Sequence, residues 1–358
     1  MKIAAVGTAL PEHRHTQPEI LALLQRLWAD EPRVLGRLPA LFENTRVATR
    51  HLALPLARYA ELDTFGAFNR AWLEAALDLG ETALEAAFRA AGIGPQDVDA
   101  LFSVTVTGVA SPSLEARLMN RLALRSDLKR TPIFGLGCVA GVAGIARAAD
   151  YVRAFPDQIA VLLSVELCSL TFQRGDLSIP HLISAALFGD GAAAVVIAGT
   201  EAAARLGLQG PDVAATRSVF YPDSEDVMGW RVTENGFELV LSASVPQVVR
   251  EHIGDDVDRF LASQGLARAD VDAWLCHPGG PKVLLAMQEA LGLTEDDVAL
   301  SWQTLERMGN LSSTSVLMVL AEHLARPTAE RGGQALLAAM GPAFCAELVL
   351  TREALDRQ

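Results

Sequence analysis

Three kinds of side chain along this sequence could carry out chemistry: a thiol that could act as a nucleophile, an imidazole and a carboxamide. Cys138 lies in "GLGCVAGVAG", where a buried strand is predicted to give way to a helix. A thiol at a helix N-terminus meets the positive end of the helix dipole, which lowers its pKa and favours the thiolate. The flanking glycines let a substrate approach the backbone closely. The segment therefore indicates a nucleophile, although burial as a packing residue is the alternative.

The imidazole and the carboxamide follow much later in the chain. His277 lies in "LCHPGGPKVL", at the end of a predicted strand, where it either faces a cleft or belongs to an exposed turn. Asn310 lies in "RMGNLSSTSVLMVL", before an apolar helix, where it either donates its amide to a ligand or caps the helix. His181, in "SIPHLISAALFGDG", is a further histidine whose role stays open.

The elements that position these residues alternate along the chain. Short β-branched runs are separated by longer alanine- and leucine-rich stretches, which predicts α/β layering. The N-terminal apolar run before Pro11 is predicted to be a first buried strand. Further predicted strands are 100–107, 158–164, 192–198, 273–276, 335–339 and 346–350. Predicted helices are 74–92, the segment after Cys138, 245–265, 280–292 and 313–325.

The sequence contains an internal parallel that predicts a duplicated fold. "AAGIGPQDVDALFSV" (90–104) closely resembles "SQGLARADVDAWLCH" (263–277), with a helix end, a glycine, an Asp-Val-Asp turn and then a strand. Two halves are therefore expected, residues 1–210 with Cys138 and residues 211–358 with His277 and Asn310. The boundary is predicted to lie in a polar, irregular region at 200–226. Tandem βαβ halves would bring sites from both halves to a shared centre.

Composition excludes several classes of partner. The chain has 358 residues and a formal net charge of −13, which argues against nucleic acid, because binding to phosphates needs lysine and arginine. We predict no signal peptide and no membrane span. The four cysteines lack the spacing of a metal site, so we expect no metal, no disulfide and a cytoplasmic location. A polyanionic ligand would need a local basic patch, for which "EPRVLGRLPALFENTRVATRH" offers arginines 33, 37, 46 and 50.

Taken together, five segments resemble the type III polyketide synthases, the chalcone- and stilbene-synthase-like branch of the thiolase-fold condensing enzymes. These segments are "GCVAGVAGIARAADYV", "ALFGDGAAAVVI", "HPGGPKVL", "GNLSSTSV" and "MGPAFCAELVL", in the family's order. The related ketoacyl synthase III enzymes generally read His-Gln-Ala-Asn at the histidine, whereas this chain reads "HPGGP". The resemblance implies a thiolase fold with duplicated βαβ halves in a layered αβαβα core.

The resemblance also assigns roles to individual residues. It implies a catalytic triad of Cys138, His277 and Asn310. Leu239 falls near a position where plant members carry a second gatekeeper Phe, and Asn44 falls where a CoA-binding lysine is usual. The remaining implied residues are the aromatic gatekeeper Phe188, the cavity residues Thr171, Ser111 (reaching across a dimer interface) and Ser312, and the weaker CoA-binding candidates Arg46 and Arg50.

The activity implied is an iterative decarboxylative Claisen condensation of malonyl-CoA onto an acyl-CoA starter held on Cys138. The substrates are CoA thioesters, no other cofactor is required, and a homodimer is expected. The loss of a bulky Phe near Leu239 favours a fatty acyl starter and alkylpyrone- or alkylresorcinol-type products. The alternatives are a ketoacyl synthase III-like enzyme that uses acyl-carrier protein, and a catalytically silent scaffold.

Overall fold

The computed structural model describes residues 1–353. The strands are β1 (Lys2–Ala9), β2 (His13–Thr16), β3 (Thr49–Leu52), β4 (Ala100–Thr105), β5 (Lys129–Phe134), β6 (Ile159–Leu167), β7 (Asp190–Ala198), β8 (Asp212–Phe220), β9 (Met228–Thr233), β10 (Gly236–Leu241), β11 (Ala273–Cys276), β12 (Gln334–Gly341) and β13 (Cys345–Arg352). The helices are α1 (Gln17–Leu27), α2 (Pro32–Leu35), α3 (Leu38–Glu43), α4 (Phe65–Ala91), α5 (Leu114–Arg121), α6 (Ala140–Ala154), α7 (Ile179–Leu187), α8 (Thr200–Leu206), α9 (Val245–Ala262), α10 (Pro281–Leu291), α11 (Ala299–Met308), α12 (Ser313–Leu324) and α13 (Thr328–Arg331).

The main sheet is mixed and consists of two halves. Within residues 1–353 its order is β11-β12-β13-β8-β1-β7-β6-β4-β5. Strands β4, β5 and β6 pair in parallel, as do β11 and β12, and the other pairs are antiparallel. The halves meet where β1 pairs with β8 at a single position, Lys2 with Asp212. The strands that precede Cys138 and His277 thus belong to different halves.

Helices form three layers around the two half-sheets. The apolar cluster that includes α4 covers one half, and the cluster that includes α9 and α10 covers the other. Between them, α6 and α12 pack in a third cluster that contains residues of both half-sheets. Gly141 makes this close packing possible, because a Cβ there would lie 2.3 Å from the carbonyl oxygen of Ser313 in α12. The result is the layered αβαβα core predicted from the sequence.

The internal parallel is confirmed at the level of local structure. The helix of each copy ends near a left-handed glycine, Gly92 with φ 70° and Gly265 with φ 72°. Each glycine is followed by a short 3-10 turn, Pro95–Asp97 or Arg268–Asp270, and then by β4 or β11. A positive φ is readily adopted only by glycine, which explains why both copies carry one.

The region 200–226 departs from the prediction of an irregular boundary. It contains α8 and the nine-residue strand β8, which pairs with β13. The strand was missed because its side chains are half-buried or exposed along most of its length and carry no apolar run. The division of the chain at residue 210 stays a prediction. No helix among the described residues is long and apolar enough to cross a membrane.

Candidate active site

Cys138 lies in a 3-10 turn, Gly137–Val139, between β5 and α6. Gly137 has φ 54°, and a Cβ there would lie 2.6 Å from the ring of Pro342, so this turn requires glycine. The Cys138 Sγ lies 3.7 Å from the Oγ of Ser312, which itself has a φ of 50° just before α12. The glycine before the cysteine is therefore needed for the turn and for its packing against Pro342.

The environment of the Cys138 thiol differs from the one predicted. Burial raises the pKa of Cys138 to about 12, and the hydrogen bond with Ser312 only partly opposes it. Burial likewise lowers the pKa of His277 to about 4. The predicted lowering of the thiol pKa by the α6 dipole is thus outweighed by loss of solvation. Both shifts favour the uncharged thiol and the uncharged imidazole over an ion pair.

His277 follows directly on β11. Its backbone N–H donates to the carbonyl of Ala338 at 2.8 Å, continuing the pairing with β12 and fixing the residue at the strand end. The side chain is 3% exposed, and within the described structure neither Nδ1 nor Nε2 has a hydrogen-bond partner. A Cβ on Gly279 would lie 3.3 Å from the imidazole, so the glycine keeps space beside the ring. His277 is therefore not part of an exposed turn, which was the alternative predicted from the sequence.

Asn310 lies between α11 and α12, two residues before the N-cap of α12, which is Ser312. Its Oδ1 accepts from the backbone N–H of Ser312 at 2.8 Å, and its Nδ2 donates to the carbonyl of Gly279 at 3.0 Å. An amide nitrogen carries two hydrogens, so one remains free. The carboxamide thus links the segment before α12 to the turn after His277 and still has a donor to offer.

One cavity brings the residues from both halves together. Its volume is about 790 Å³ with its open mouth included, and its lining is mainly apolar, with Val245 and Val249 of α9 on one side and Ile183 and Leu187 of α7 on another. Six residues predicted from the sequence line it: Cys138, Phe188, Leu239, His277, Asn310 and Ser312.

Other predicted residues lie elsewhere. Thr171 lines a neighbouring cavity of about 510 Å³, which shares the side chains of Cys168 and Phe188 with the first one. Ser111 is exposed and lies outside both cavities, so its role across a dimer interface stays a prediction.

The two arginines predicted to bind CoA have different surroundings. Arg46 is exposed, its guanidinium lies 4.6 Å above the ring of Trp302, and its Nη1 is 3.7 Å from Glu295. Arg50 is 2% exposed and donates to protein oxygens inside the fold, so it does not present a charge to CoA phosphates at the surface. The prediction for Arg50 is wrong, because its alternating position in β3 points inward.

Two residues near the site were missed. Trp230 lines the catalytic cavity, with its ring centroid 6.3 Å from that of Phe188. Glu166 is fully buried and accepts hydrogen bonds from the Val106 N–H at 3.0 Å and from the Ser313 hydroxyl at 2.6 Å. A carboxylate inside the apolar run "VLLSVEL" was a signal that could have been used, because buried charges are rare without a partner.

The arrangement suits acyl transfer through a thioester. A thiol, a neutral imidazole and an amide donor line one mainly apolar cavity, in which hydrogen bonds to a developing oxyanion are stronger than in water. Both ring nitrogens of His277 are unpaired, so the imidazole can donate one hydrogen bond and accept another from a ligand.

Comparison with known proteins gives a consistent result along the whole chain. Residues 1–201 match the family model of the chalcone and stilbene synthases, N-terminal domain, and residues 212–354 match the C-terminal domain. The chain is 50% identical over 350 residues to 1,3,6,8-tetrahydroxynaphthalene synthase of Streptomyces peucetius subsp. caesius, covering 98% of this chain and 92% of the relative. It is 33% identical to phloroglucinol synthase of Pseudomonas fluorescens, covering 95% of each.

A solved structure agrees with this assignment. The crystal structure of 1,3,6,8-tetrahydroxynaphthalene synthase from Streptomyces coelicolor A3(2), a bacterial type III polyketide synthase, superposes with a TM-score of 0.92 at 31% identity and covers 99% of this chain and 100% of that one. The chain therefore belongs to the chalcone and stilbene synthase family, the type III polyketide synthases, and is an acyl-transferring condensing enzyme of thiolase fold.

Proposed function

We propose that Cys138, His277 and Asn310 catalyse the condensation. The Cys138 sulfur attacks an acyl-CoA carbonyl, His277 takes the thiol proton, and CoA leaves with a proton as its free thiol. Malonyl-CoA then binds with its thioester oxygen facing His277 and the free Nδ2 hydrogen of Asn310. Carbon dioxide leaves, and these donors stabilise the enolate. The enolate carbon attacks the acyl group on Cys138, the C–S bond breaks, and a longer β-ketoacyl-CoA forms.

A single observation carries this proposal: three polar groups from different elements, including an imidazole with both nitrogens unpaired, line one buried cavity. Buried polar groups are nearly always hydrogen-bonded within a protein. An unpaired imidazole in the same cavity as a thiol is therefore expected where a ligand completes the bonding.

We propose malonyl-CoA as the source of every carbon of the product. The support is the 50% identity, over nearly the full chain, to a relative named for 1,3,6,8-tetrahydroxynaphthalene. That product has ten carbons, which five malonyl units supply when each loses carbon dioxide. One ring closure by aldol condensation releases water and one by Claisen condensation releases CoA, which leaves four oxygens. A cavity lined by Phe188, Trp230 and Leu239 suits a short polyketide that folds back on itself.

A second candidate is a fatty acyl starter leading to alkylpyrone- or alkylresorcinol-type products. The neighbouring cavity supports it, because it borders the catalytic cavity at Cys168 and Phe188 and is lined by Leu23, Leu24 and Leu27 of α1. It shares Leu27 and Phe172 with an open surface groove. An aliphatic chain could enter this apolar space if the Phe188 ring turned aside.

We further propose a homodimer that acts in the reducing cytoplasm and binds acyl-CoA and malonyl-CoA. The four free thiols support the compartment. The exposed edge strand β5, which ends at the 53%-exposed Phe134, supports pairing with a second copy. Arg46 is the candidate for the CoA phosphates, because its guanidinium is exposed.

The test incubates the purified chain with malonyl-CoA alone, with malonyl-CoA plus acyl-CoAs of increasing length, and with malonyl-carrier protein. Products are identified by mass spectrometry, and carbon dioxide is measured. A naphthol-type product from malonyl-CoA alone supports the first candidate, and products that retain the acyl chain support the second. Cys138→Ala is the matched control, since it should lose acyl loading and condensation but retain some malonyl decarboxylation. Turnover only from carrier-bound malonate contradicts the CoA proposal.

A further inference from the structure

Two buried polar side chains hold the C-terminal end of α7. Arg50 donates from Nη1 to the carbonyls of Ala185 at 2.8 Å and Phe188 at 2.7 Å. Its Nε donates to Gln17 Oε1 at 3.0 Å, and Gln17 Nε2 donates to the carbonyl of Ala186 at 2.8 Å. The last carbonyls of a helix lack partners within the helix, and a cation there also meets the negative end of the dipole. We call these two residues the Arg50–Gln17 clamp.

The held segment carries both a cavity wall and the partner of a catalytic residue. Phe188 follows α7 directly and lines the catalytic cavity. The Asn310 N–H donates to the carbonyl of Leu187 at 3.0 Å, and the Gly189 N–H donates to the carbonyl of Asn310 at 3.0 Å. A shift of the α7 end would therefore move Asn310 as well as Phe188.

The clamp also lies against the chain just before Asn310. A Cβ on Gly309 would lie 3.1 Å from Arg50 Cδ and 2.5 Å from the carbonyl oxygen of Leu187. In the same strand as Arg50, the Thr49 hydroxyl donates to the carbonyl of Arg307 at 2.8 Å. The arginine thus contacts the two segments whose relative placement sets the distance between the Phe188 ring and the Asn310 amide.

The fold buries a guanidinium whose Nε and Nη1 donate to amide and carbonyl oxygens, while its Nη2 has no partner among the described residues. Burying such a charge is expensive, and the planar fork of arginine can hold several oxygens at fixed positions where lysine cannot. We infer that the Arg50–Gln17 clamp is a positioning device that sets the placement of the Asn310 amide and the Phe188 ring in the catalytic cavity. This inference rests on the proposed roles of Asn310 and Phe188.

The test compares two partial reactions in variants of the full chain. Loading of an acyl group onto Cys138 does not need the Asn310 amide, whereas malonyl-CoA decarboxylation does. In Gln17→Ala and Arg50→Lys, we expect the ratio of decarboxylation rate to loading rate to fall by about tenfold to hundredfold, since a misplacement of about 1 Å has an effect of this size. Leu84→Ala is the matched control, because Leu84 is fully buried in α4 and lies outside the catalytic cavity.

The outcomes separate positioning from simple stability. If the clamp only stabilised the fold, its loss would lower the decarboxylation and loading rates in proportion to the folded fraction, and their ratio would not change. The same is expected of Leu84→Ala, measured at a temperature where its folded fraction equals that of the clamp variant. An unchanged ratio in the clamp variants overturns the inference. If Arg50→Lys does not fold, Gln17→Ala retains the charge and gives the answer alone. Failure of the unaltered chain to decarboxylate malonyl-CoA would instead contradict the proposed function.

Discussion

His277 in the catalytic cavity and Asp190 at the start of β7 are both buried polar side chains, but their hydrogen bonding is opposite. In the cavity, both ring nitrogens of His277 are without a partner among the described residues. Asp190 accepts from the Ser169 N–H at 2.8 Å, the Ala53 N–H at 2.6 Å and the Ser169 hydroxyl. A buried polar group left unpaired costs about 1–3 kcal/mol, so His277 keeps a destabilising arrangement that Asp190 avoids. The contrast indicates that His277 is kept for a ligand and Asp190 for the fold.

The Asn310 side chain makes two hydrogen bonds inside the fold and keeps one amide hydrogen free for a ligand. We expect its substitution to have the largest effect on activity. Asn310→Ala removes the donor proposed to stabilise the enolate, so malonyl decarboxylation should fall by about 10²–10³, while acyl loading persists. Asn310→Asp is the sharper variant, because it retains an oxygen that can accept from the Ser312 N–H but has no amide donor. We expect a similar loss, measured as carbon dioxide release. Near-normal decarboxylation by Asn310→Asp would show that the residue only fixes the backbone.

The second prediction concerns the protonation of the Cys138 thiol. Because burial raises the pKa of Cys138 to about 12, the thiolate is scarce at pH 7 and its fraction rises with pH. The rate of Cys138 alkylation by iodoacetamide should therefore increase about tenfold for each pH unit, or about hundredfold between pH 7 and pH 9. Cys138→Ala corrects for the other thiols. A rate that levels off below pH 7 would instead indicate a preformed thiolate–imidazolium pair.

Much of this fold follows from apolar patterning. Strand β11 was predicted with its observed ends, and α12 differs from the predicted helix by one residue. The strand before Cys138 was predicted to be buried, which is wrong: β5 reads "KRTPIF" and lies mostly exposed at the sheet edge, without buried apolar alternation. Similarly, α7 was not predicted, because its nine residues are too short for a clear period.

The site was predictable where it depends on motif and was not where it depends on packing. Cys138, His277 and Asn310 were singled out because each follows a strand end or precedes a helix in a glycine-containing segment, and only the family resemblance joined them into a predicted triad. Arg50 was misplaced because a basic segment looks the same whether its charges face solvent or protein. The raised pKa of Cys138 was missed for a related reason, since desolvation depends on neighbours that are remote in sequence.

The third prediction concerns the buried hydrogen bonds that Asp190 accepts. Asp190→Ala would leave the buried N–H groups of Ala53 and Ser169 without an acceptor and should lower the free energy of unfolding by about 2–4 kcal/mol. Asp212→Ala is the matched control, because its ion pair with Lys2 involves a side chain that is 45% exposed; we expect a loss of about 1 kcal/mol or less there. Urea unfolding measures both. Equal losses of unfolding free energy in the two variants would mean that the buried hydrogen bonds to Asp190 add nothing to stability.

The smallest expected effect is on product length, which depends on the cavity wall and not on its polar groups. Leu239 and Trp230 line the same cavity, and the paired strands β10 and β9 bring them opposite each other in register. Leu239→Phe should reduce the space and shift products towards fewer extensions or shorter starters by a few-fold. Trp230→Ala should enlarge it and shift the ratio the other way, since Trp230 is a large, half-buried side chain that lines the cavity and its removal leaves space for a ligand. The ratio of products, measured by mass spectrometry from the same substrate mixture, removes differences in overall rate. Shifts in the same direction for both variants would show that chain length is set elsewhere, for example in the neighbouring cavity lined by Thr171.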